Sequence, residues 1–414
     1  MGHSLRARLI AGLLPVLFLS LGFSITLAQV TLALLVALWL PDLVDAKRRR
    51  GTIWPLGWPL AAFAATTLLA VATSSDVGRS LQASKDLLLV ALFFLLVNVV
   101  RDITEADRLL RWLFLAITCA ALFGLVQMTV CAFDLGPSGG WGALSRWLER
   151  PCHRWTFPRA SGPFSIYMTF GGVLMVTLLL LIPRLGQAGR GARWLIPSGI
   201  AMALALALTY SRNAWLGLGA GGAALLLFIR GFRRRLWILL LLAIFGGVIL
   251  LGPAKLTSRA RSLFDPHDPT AVQRLYLWGS GLGIFKDHPI TGIGPGMLSR
   301  VLPRYAHPES LYPRAGHVHN TPLQVAIERG LLGLGAWLWI WIAFARRGIH
   351  LWRALPLGAM RERRLAAGSL AAVTGFLTAG LFEYNFGDSE VIMLIYVAMA
   401  MLFLAERSLN RGGE

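Results

Sequence analysis

Apolar runs of about 17–25 residues recur along most of the chain, the length at which a helix crosses the hydrocarbon core of a bilayer. Within lipid every backbone N–H and C=O must be satisfied inside the protein, which leaves only helices and closed barrels as spans. These runs are too long and too little alternating for barrel strands. With 56% hydrophobic and only 14% charged residues, the chain reads as all-α and polytopic, a single transmembrane domain over 1–414.

Spans are expected near 8–24, 25–41, 53–73, 84–100, 110–132, 163–183, 194–210, 212–229, 236–252, 323–345, 365–382 and 389–406, about twelve in all. Pro15 and Pro41 bracket a nearly continuous apolar stretch that a hairpin around Gly22 to Thr26 must divide. The first apolar run is followed by another rather than by a small-residue cleavage site, so no cleavable leader is expected. The basic segments Lys47 to Arg50, Arg101 to Arg111, Arg184 to Arg193, Arg230 to Arg235 and Arg346 to Arg364 all fall on one side of these spans. The positive-inside rule makes that side, and both termini, cytoplasmic. Loops 133–162 and 253–322 then face outward, into the periplasm for a bacterial inner membrane.

The second outer loop has internal order. Asp268 and Pro269 form an N-cap and first-turn pair, and the apolar residues within 270–286 predict an amphipathic helix against the membrane surface. It carries Arg274 one turn before Trp278. His288-Pro289-Ile290-Thr291-Gly292-Ile293-Gly294-Pro295-Gly296 breaks it, and glycines there allow close backbone approach to a ligand. Gly316-His317-Val318-His319-Asn320-Thr321-Pro322-Leu323 then sets two imidazoles and an amide just ahead of a helix start. Asn320 or Thr321 caps that helix with Pro322 in its first turn, so its positive end faces the histidines. Titratable groups are expensive to hold near a bilayer and are functional suspects. Between the seventh and eighth spans, Tyr210-Ser211-Arg212-Asn213 makes a tight outer turn with Ser211 as the cap, which holds Arg212 at the rim.

The formal net charge of +20 is unevenly informative. Inner basic loops are ordinary, whereas Arg146, Arg150, Arg154, Arg159, Arg212, Arg259, Arg261, Arg274, Arg300, Arg304, Arg314 and Arg329 oppose the usual bias. A guanidinium presents five donors in a planar fork suited to phosphate oxygens, so an arginine-lined outer cavity points to a phosphorylated ligand, with some of these side chains meeting lipid headgroups. Nucleic acid is a poor fit, because the charge is dispersed among spans without a basic soluble domain. Three cysteines make neither a metal site nor a paired framework by spacing. Cys119 reads as a small buried hydrophobe, and a bridge between the outer Cys131 and Cys152 is left open. No metal is expected: Asp265-Pro266-His267-Asp268 is the one compact candidate, and its acids suit a turn and a helix cap better.

Taken in order, Arg159-Ala160-Ser161-Gly162-Pro163-Phe164, Tyr210 to Gly217, Arg274 with Trp278, His288 to Gly294, and His317-Val318-His319-Asn320 with Glu328-Arg329-Gly330 resemble the bacterial O-antigen ligase superfamily. The chain departs from that pattern at Gly162 to Ile166, where many relatives carry an Asn-Pro pair shortly after the Phe. The resemblance implies a fold similar to multispanning lipid-linked-sugar glycosyltransferases. It also implies a metal-independent enzyme using a glycan on undecaprenyl diphosphate as donor, with no cofactor. Among the superfamily's activities, a compact chain with one long late periplasmic loop looks most like a ligase that joins the glycan to lipid A-core. An O-antigen polymerase or a protein O-oligosaccharyltransferase is the alternative.

The residue chemistry leads the same way. A sugar hydroxyl needs help losing its proton, and histidine is suited to that near neutral pH. His319 is the expected base, with His317 supporting it. Fixed guanidiniums stabilise charge developing on a leaving diphosphate, and Arg212, Arg274 and Arg159 are the candidates. Asn320, Glu328, Tyr210 and Trp278 are expected to support them, Glu328 by pairing with an outer arginine or by orienting a histidine. A transporter or flippase would instead place charged or broken helices near the bilayer midplane. Here the spans are mostly clean and the suspect residues lie on outer loops.

Overall fold

The computed structural model describes residues 2–45, 50–133, 147–152, 157–185, 193–229, scattered positions within 235–249, 254–262 and 265–411. All regular structure among them is helical. The first part of the chain forms α1 (Gly2–Ser20), α2 (Ile25–Val44), α3 (Gly57–Ala72), α4 (Val77–Ala83), α5 (Val90–Val99) and α6 (Ile103–Phe133). Then come α7 (Tyr167–Leu181), α8 (Leu195–Leu208), α9 (Arg212–Phe228), α10 (Ala254–Arg261), α11 (Pro269–Asp287), α12 (Thr321–Ala354), α13 (Met360–Gly380) and α14 (Ser389–Arg411).

Helices lie at each expected span except 236–252, which falls largely outside the described residues, as do Lys47 to Arg49, Arg146, Arg154 and Arg230 to Arg234. Among the described residues, six stretches are long and apolar enough to cross a membrane by themselves: Ile25–Val44, Val77–Val99, Ile103–Phe133, Tyr167–Arg184, Thr321–Ala354 and Ser389–Asn410. The Gly57–Ala72 and Leu195–Leu208 helices are apolar but shorter. The first hairpin turns at residues 21–24, where Ser24 caps α2 by accepting from the Leu27 N–H. Pro15 and Pro41 lie inside α1 and α2 rather than at their edges.

The centre of the bundle is held by small residues. α9 packs most extensively against α13, and their glycines bring the backbones together. A Cβ on Gly217 would lie 2.7 Å from the Gly375 carbonyl oxygen, and one on Gly221 would lie 2.7 Å from that of Ala371. α7, buried along nearly its whole length, fills the space beside them. Cys119, expected to be buried, is exposed. It lies on the outer stripe of α6 with Trp112, Leu115, Leu122 and Val126, because a helix that is apolar all round hides which face meets its neighbours.

α12 is broken at Gly330, whose φ of 64° and ψ of −166° leave the helix. The break frees backbone groups, and the segment after α11 satisfies them. Ile293 and Gly294 donate to the Ile327 and Glu328 carbonyls, while Leu331 donates to the Pro289 carbonyl. The glycines of that segment do allow close approach, but to the protein itself: Gly292 meets the Glu328–Arg329 backbone and Gly294 meets Ser74 and Ser80. At the other end of the bundle, Arg184 pairs with Asp107 at 3.2 Å, Arg347 with Glu406 at 2.6 Å, and Arg361 donates to Thr104 at 3.0 Å. These contacts gather the basic segments Arg101 to Arg111, that beginning at Arg184, and Arg346 to Arg364 at one end, opposite the N-termini of α9, α12 and α14.

The Cys131–Cys152 bridge, open from sequence, is formed, with the Cα atoms 5.2 Å apart. It fastens residues 147–152 to the end of α6. The same segment is tied onward, since Arg150 donates to the Ser165 carbonyl at 2.9 Å and Gln127 donates to the Trp147 and Gly162 carbonyls.

Candidate active site

Three local devices fix the histidine loop. Trp278 of α11 donates from Nε1 to the Val318 carbonyl at 2.9 Å, and the Val318 N–H donates to Gln324 Oε1 at 3.0 Å. Asn320 caps α12 by accepting from the Leu323 N–H at 2.9 Å, and its Nδ2 donates to the Leu381 carbonyl at 3.0 Å. Thr321 Oγ1 donates to the Glu383 carbonyl at 2.8 Å. The last two bonds draw the α13–α14 turn against the loop and deliver Glu383 to the histidines. His319 itself adopts a left-handed φ of 52°, an unusual backbone state that these bonds sustain.

His319 Nδ1 lies 2.9 and 3.0 Å from the two Glu383 oxygens. The His317 ring stands edge-on to that of His319 at 4.3 Å, with its Nδ1 3.7 Å from Glu383 Oε1. Arg274, brought in by α11, lies 3.7 Å from Glu383 Oε2. Burial of the Glu383 carboxyl would raise its pKa, but the His319 hydrogen bond and the charges of His319, His317 and Arg274 outweigh it and hold it at about 2. Burial pushes His317 below its usual range, against the pull of Glu383, and favours the neutral ring. Arg274 is pushed down by burial and held up by Glu383.

A second cluster adjoins through Arg274. Arg212 donates from one terminal nitrogen to the Ser262 carbonyl and Oγ at 2.8 and 2.7 Å, and from the other to Asp268 Oδ1 at 3.2 Å and Thr270 Oγ1. Ser211 occupies the cap position of α9 as expected, yet its hydroxyl donates to the Tyr167 carbonyl instead of capping. Arg159, 8% exposed, stacks over Phe157 at 4.4 Å and Tyr167 at 4.3 Å, and its Nε is buried without a partner. Tyr210, at a φ of 56°, packs edge-on against Phe157 at 5.0 Å and so steadies that stack. Arg259 of α10 lies 3.9 Å from Asp268, and burial, with Arg212 and Arg159 nearby, lowers it to about 10. Asp268 performs its expected cap of α11 and is the acid facing these guanidiniums.

The expected residues are therefore brought together with one exception. Glu328 is buried in its own group, pairing with Arg329 at 2.8 Å and accepting from Gly296 N at 3.0 Å and Gln324 at 2.9 Å. That resolves its role toward an arginine rather than a histidine. Two members were missed. Glu383 carries the one available signal of an acid in a short loop between two apolar runs, and Arg259 was visible only as one outer arginine among many. The compact metal-ligand set is also displaced: Asp265 accepts from His267 N in a turn, whereas donor atoms of His317, His319 and Glu383 lie within 4.8 Å of one another. Such a set is able to hold a divalent ion, but the Arg274 charge beside the shared carboxylate opposes one.

Residues 197–338 match a family model described as O-antigen ligase. No curated protein is significantly similar to the chain. Members of that family are glycosyltransferase-like membrane enzymes of lipid-linked glycans, and the matched stretch contains Arg212, Arg259, Arg274, His317 and His319 but neither Arg159 nor Glu383. Over this stretch, about a third of its length, the chain is similar to the O-antigen ligase family.

Proposed function

We propose that the protein is an O-antigen ligase: a metal-independent, inverting glycosyltransferase that moves a glycan from undecaprenyl diphosphate to lipid A-core. The observation that carries this reading is the His319–Glu383 pair beside the buried Arg159 and Arg212 and the half-buried Arg259 and Arg274. Because the ionised Glu383 accepts a hydrogen bond from the Nδ1–H, Nε2 is the nitrogen with a lone pair for the acceptor hydroxyl, and the carboxylate stabilises the imidazolium that forms. The acceptor oxygen attacks the anomeric carbon and gives its proton to His319. The anomeric carbon's bond to the diphosphate oxygen breaks, and its electron pair leaves on undecaprenyl diphosphate. A single displacement inverts that carbon.

Arg159, Arg212 and Arg274 neutralise the leaving group. Their present partners divide the work. The terminal nitrogens of Arg212 are already committed to Ser262, Asp268 and Thr270, so it contributes a rigidly placed charge. Arg159 keeps an unpartnered Nε for direct donation. His317, held neutral by burial, orients its neighbour. We place the basic end in the cytoplasm with both termini, about twelve spans across the bacterial inner membrane, and the histidines facing the periplasm. Incubating the purified protein in chelator with the lipid-linked glycan and lipid A-core tests the reading. Joined product supports it, glycan lengthened on its own lipid selects a polymerase, and loss of activity restored by a divalent ion overturns the metal-free mechanism.

A further inference from the structure

An open cavity of about 430 Å³ lies along α10, lined by Ala254, Thr257, Ser258, Arg261, Ser262 and Asp265. Its size falls within the roughly 300–1,000 Å³ of small-molecule sites. Residues recurring at three- and four-residue spacing put one face of the helix on the cavity, while Leu256 and Ala260 bury the opposite side. Of the lining residues only Ala254 lacks a polar side-chain atom. Thr257, Ser258 and Ser262 each spend their hydroxyl proton on a carbonyl three residues back, so oxygen lone pairs remain to accept. Arg261 supplies donors and Asp265 a carboxylate. These acceptors and donors suit a ligand dense in hydroxyl groups.

Position identifies which such ligand. Ser262 is shared: it lines the cavity and accepts from Arg212 with both its carbonyl and its hydroxyl. A molecule whose phosphate lies at the arginine cluster therefore meets the cavity with the next group along. We propose that the α10 cavity is the saccharide subsite for the donor, holding sugar units of the glycan beside the diphosphate, with Thr257, Ser258 and Asp265 accepting from its hydroxyls. This rests on the donor class proposed above.

The test measures binding of two lipids by the detergent-solubilised full chain: undecaprenyl diphosphate, and the same lipid carrying a trisaccharide. Wild type should bind the glycan-bearing lipid more tightly. Replacing both Thr257→Ala and Ser258→Ala should weaken that lipid by about 5- to 20-fold, each lost hydrogen bond counting for a few-fold, and leave undecaprenyl diphosphate unchanged. Ser258→Trp, which fills the cavity from an exposed position, should act on the same lipid alone. Arg212→Ala should weaken both. Equal affinity of wild type for the two lipids, or cavity variants that alter both or neither, overturns the subsite while leaving the proposed reaction standing. A raised KM for the acceptor with unchanged donor binding assigns the cavity to acceptor sugars and also overturns it. Failure of wild type to bind either lipid removes the proposed function and this subsite together.

Discussion

His319 and Glu383 stand 64 residues apart in the chain, yet Nδ1 of one meets both carboxylate oxygens of the other within 3.0 Å. The pairing fixes a tautomer as well as a position, because a carboxylate that stays ionised keeps the proton on Nδ1. His319→Ala should lower the transfer rate by roughly 10²–10⁴. Glu383→Gln should approach that loss, since an amide no longer stabilises the imidazolium. Single-turnover rates on variants that retain donor binding check both, and near-normal turnover in either would remove it from the chemistry. His317→Ala should cost less than about tenfold if that ring only orients its neighbour.

The arginines should differ in kind. Arg159→Lys discards the stack between Phe157 and Tyr167 and should rescue little of what Arg159→Ala loses. Arg274→Ala should slow transfer and also change its pH profile, because it removes a charge 3.7 Å from Glu383. Donor binding measured beside the rate distinguishes these effects; an unchanged profile in Arg274→Ala would place that residue outside the histidine network.

Acid should destabilise the protein in two stages. His317 has a folded pKa below its ordinary 6.5, so the unfolded chain binds the proton first and stability falls as pH drops below that value. Glu383, at about 2 when folded against an ordinary 4.5, contributes stability that is complete above 4.5 and is lost as pH falls toward 2. Thermal melting in detergent from pH 8 to 4 should therefore show a decline beginning near 6.5, and His317→Asn should flatten that first stage. An equally steep decline in the variant would contradict the assignment.

Orientation is testable by labelling. With Cys119 replaced, a cysteine at Arg361 should resist a membrane-impermeant thiol reagent in intact cells, and one at Ala306 should react. The reverse pattern would put the histidines on the cytoplasmic side.

The break in α12 should not tolerate a side chain. Gly330→Ala would set a Cβ 2.0 Å from the Ile290 carbonyl oxygen at a φ of 64°, whereas a Cβ at Gly335 of the same helix meets nothing within 4 Å. Backbone strain alone costs about 1–3 kcal/mol, so Gly330→Ala should melt well below wild type and Gly335→Ala should not. Equal melting of the two would mean that the helix straightens freely.

What was legible in the sequence was local. Asp268 and Asn320 were readable as caps because capping joins residues two or three apart, and apolar run length placed the helices. Glu383 reaches the histidines only through tertiary bonds from Asn320 and Thr321, which no spacing rule records. Gly330 sits in an apolar run that reads as one continuous span, and its break depends on a loop arriving from Pro289 to Gly294. Cys119 was misplaced because uniform apolarity along this part of α6 does not separate the exposed stripe from the packed one.

The Cys131–Cys152 bridge also acts as a compass. Disulfides persist where thiols meet an oxidant, outside the reducing cytosol, and this one closes at the end of α6 that reaches toward Arg159. Thiol chemistry and the electrostatics of basic loops are unrelated forces, and both accord with the proposed placement of the histidine end outside the cytoplasm. On the proposed orientation the Cys131–Cys152 strap is fastened only after export, so a chain made in a cell without periplasmic oxidation should emerge with its helices in place and that strap untied.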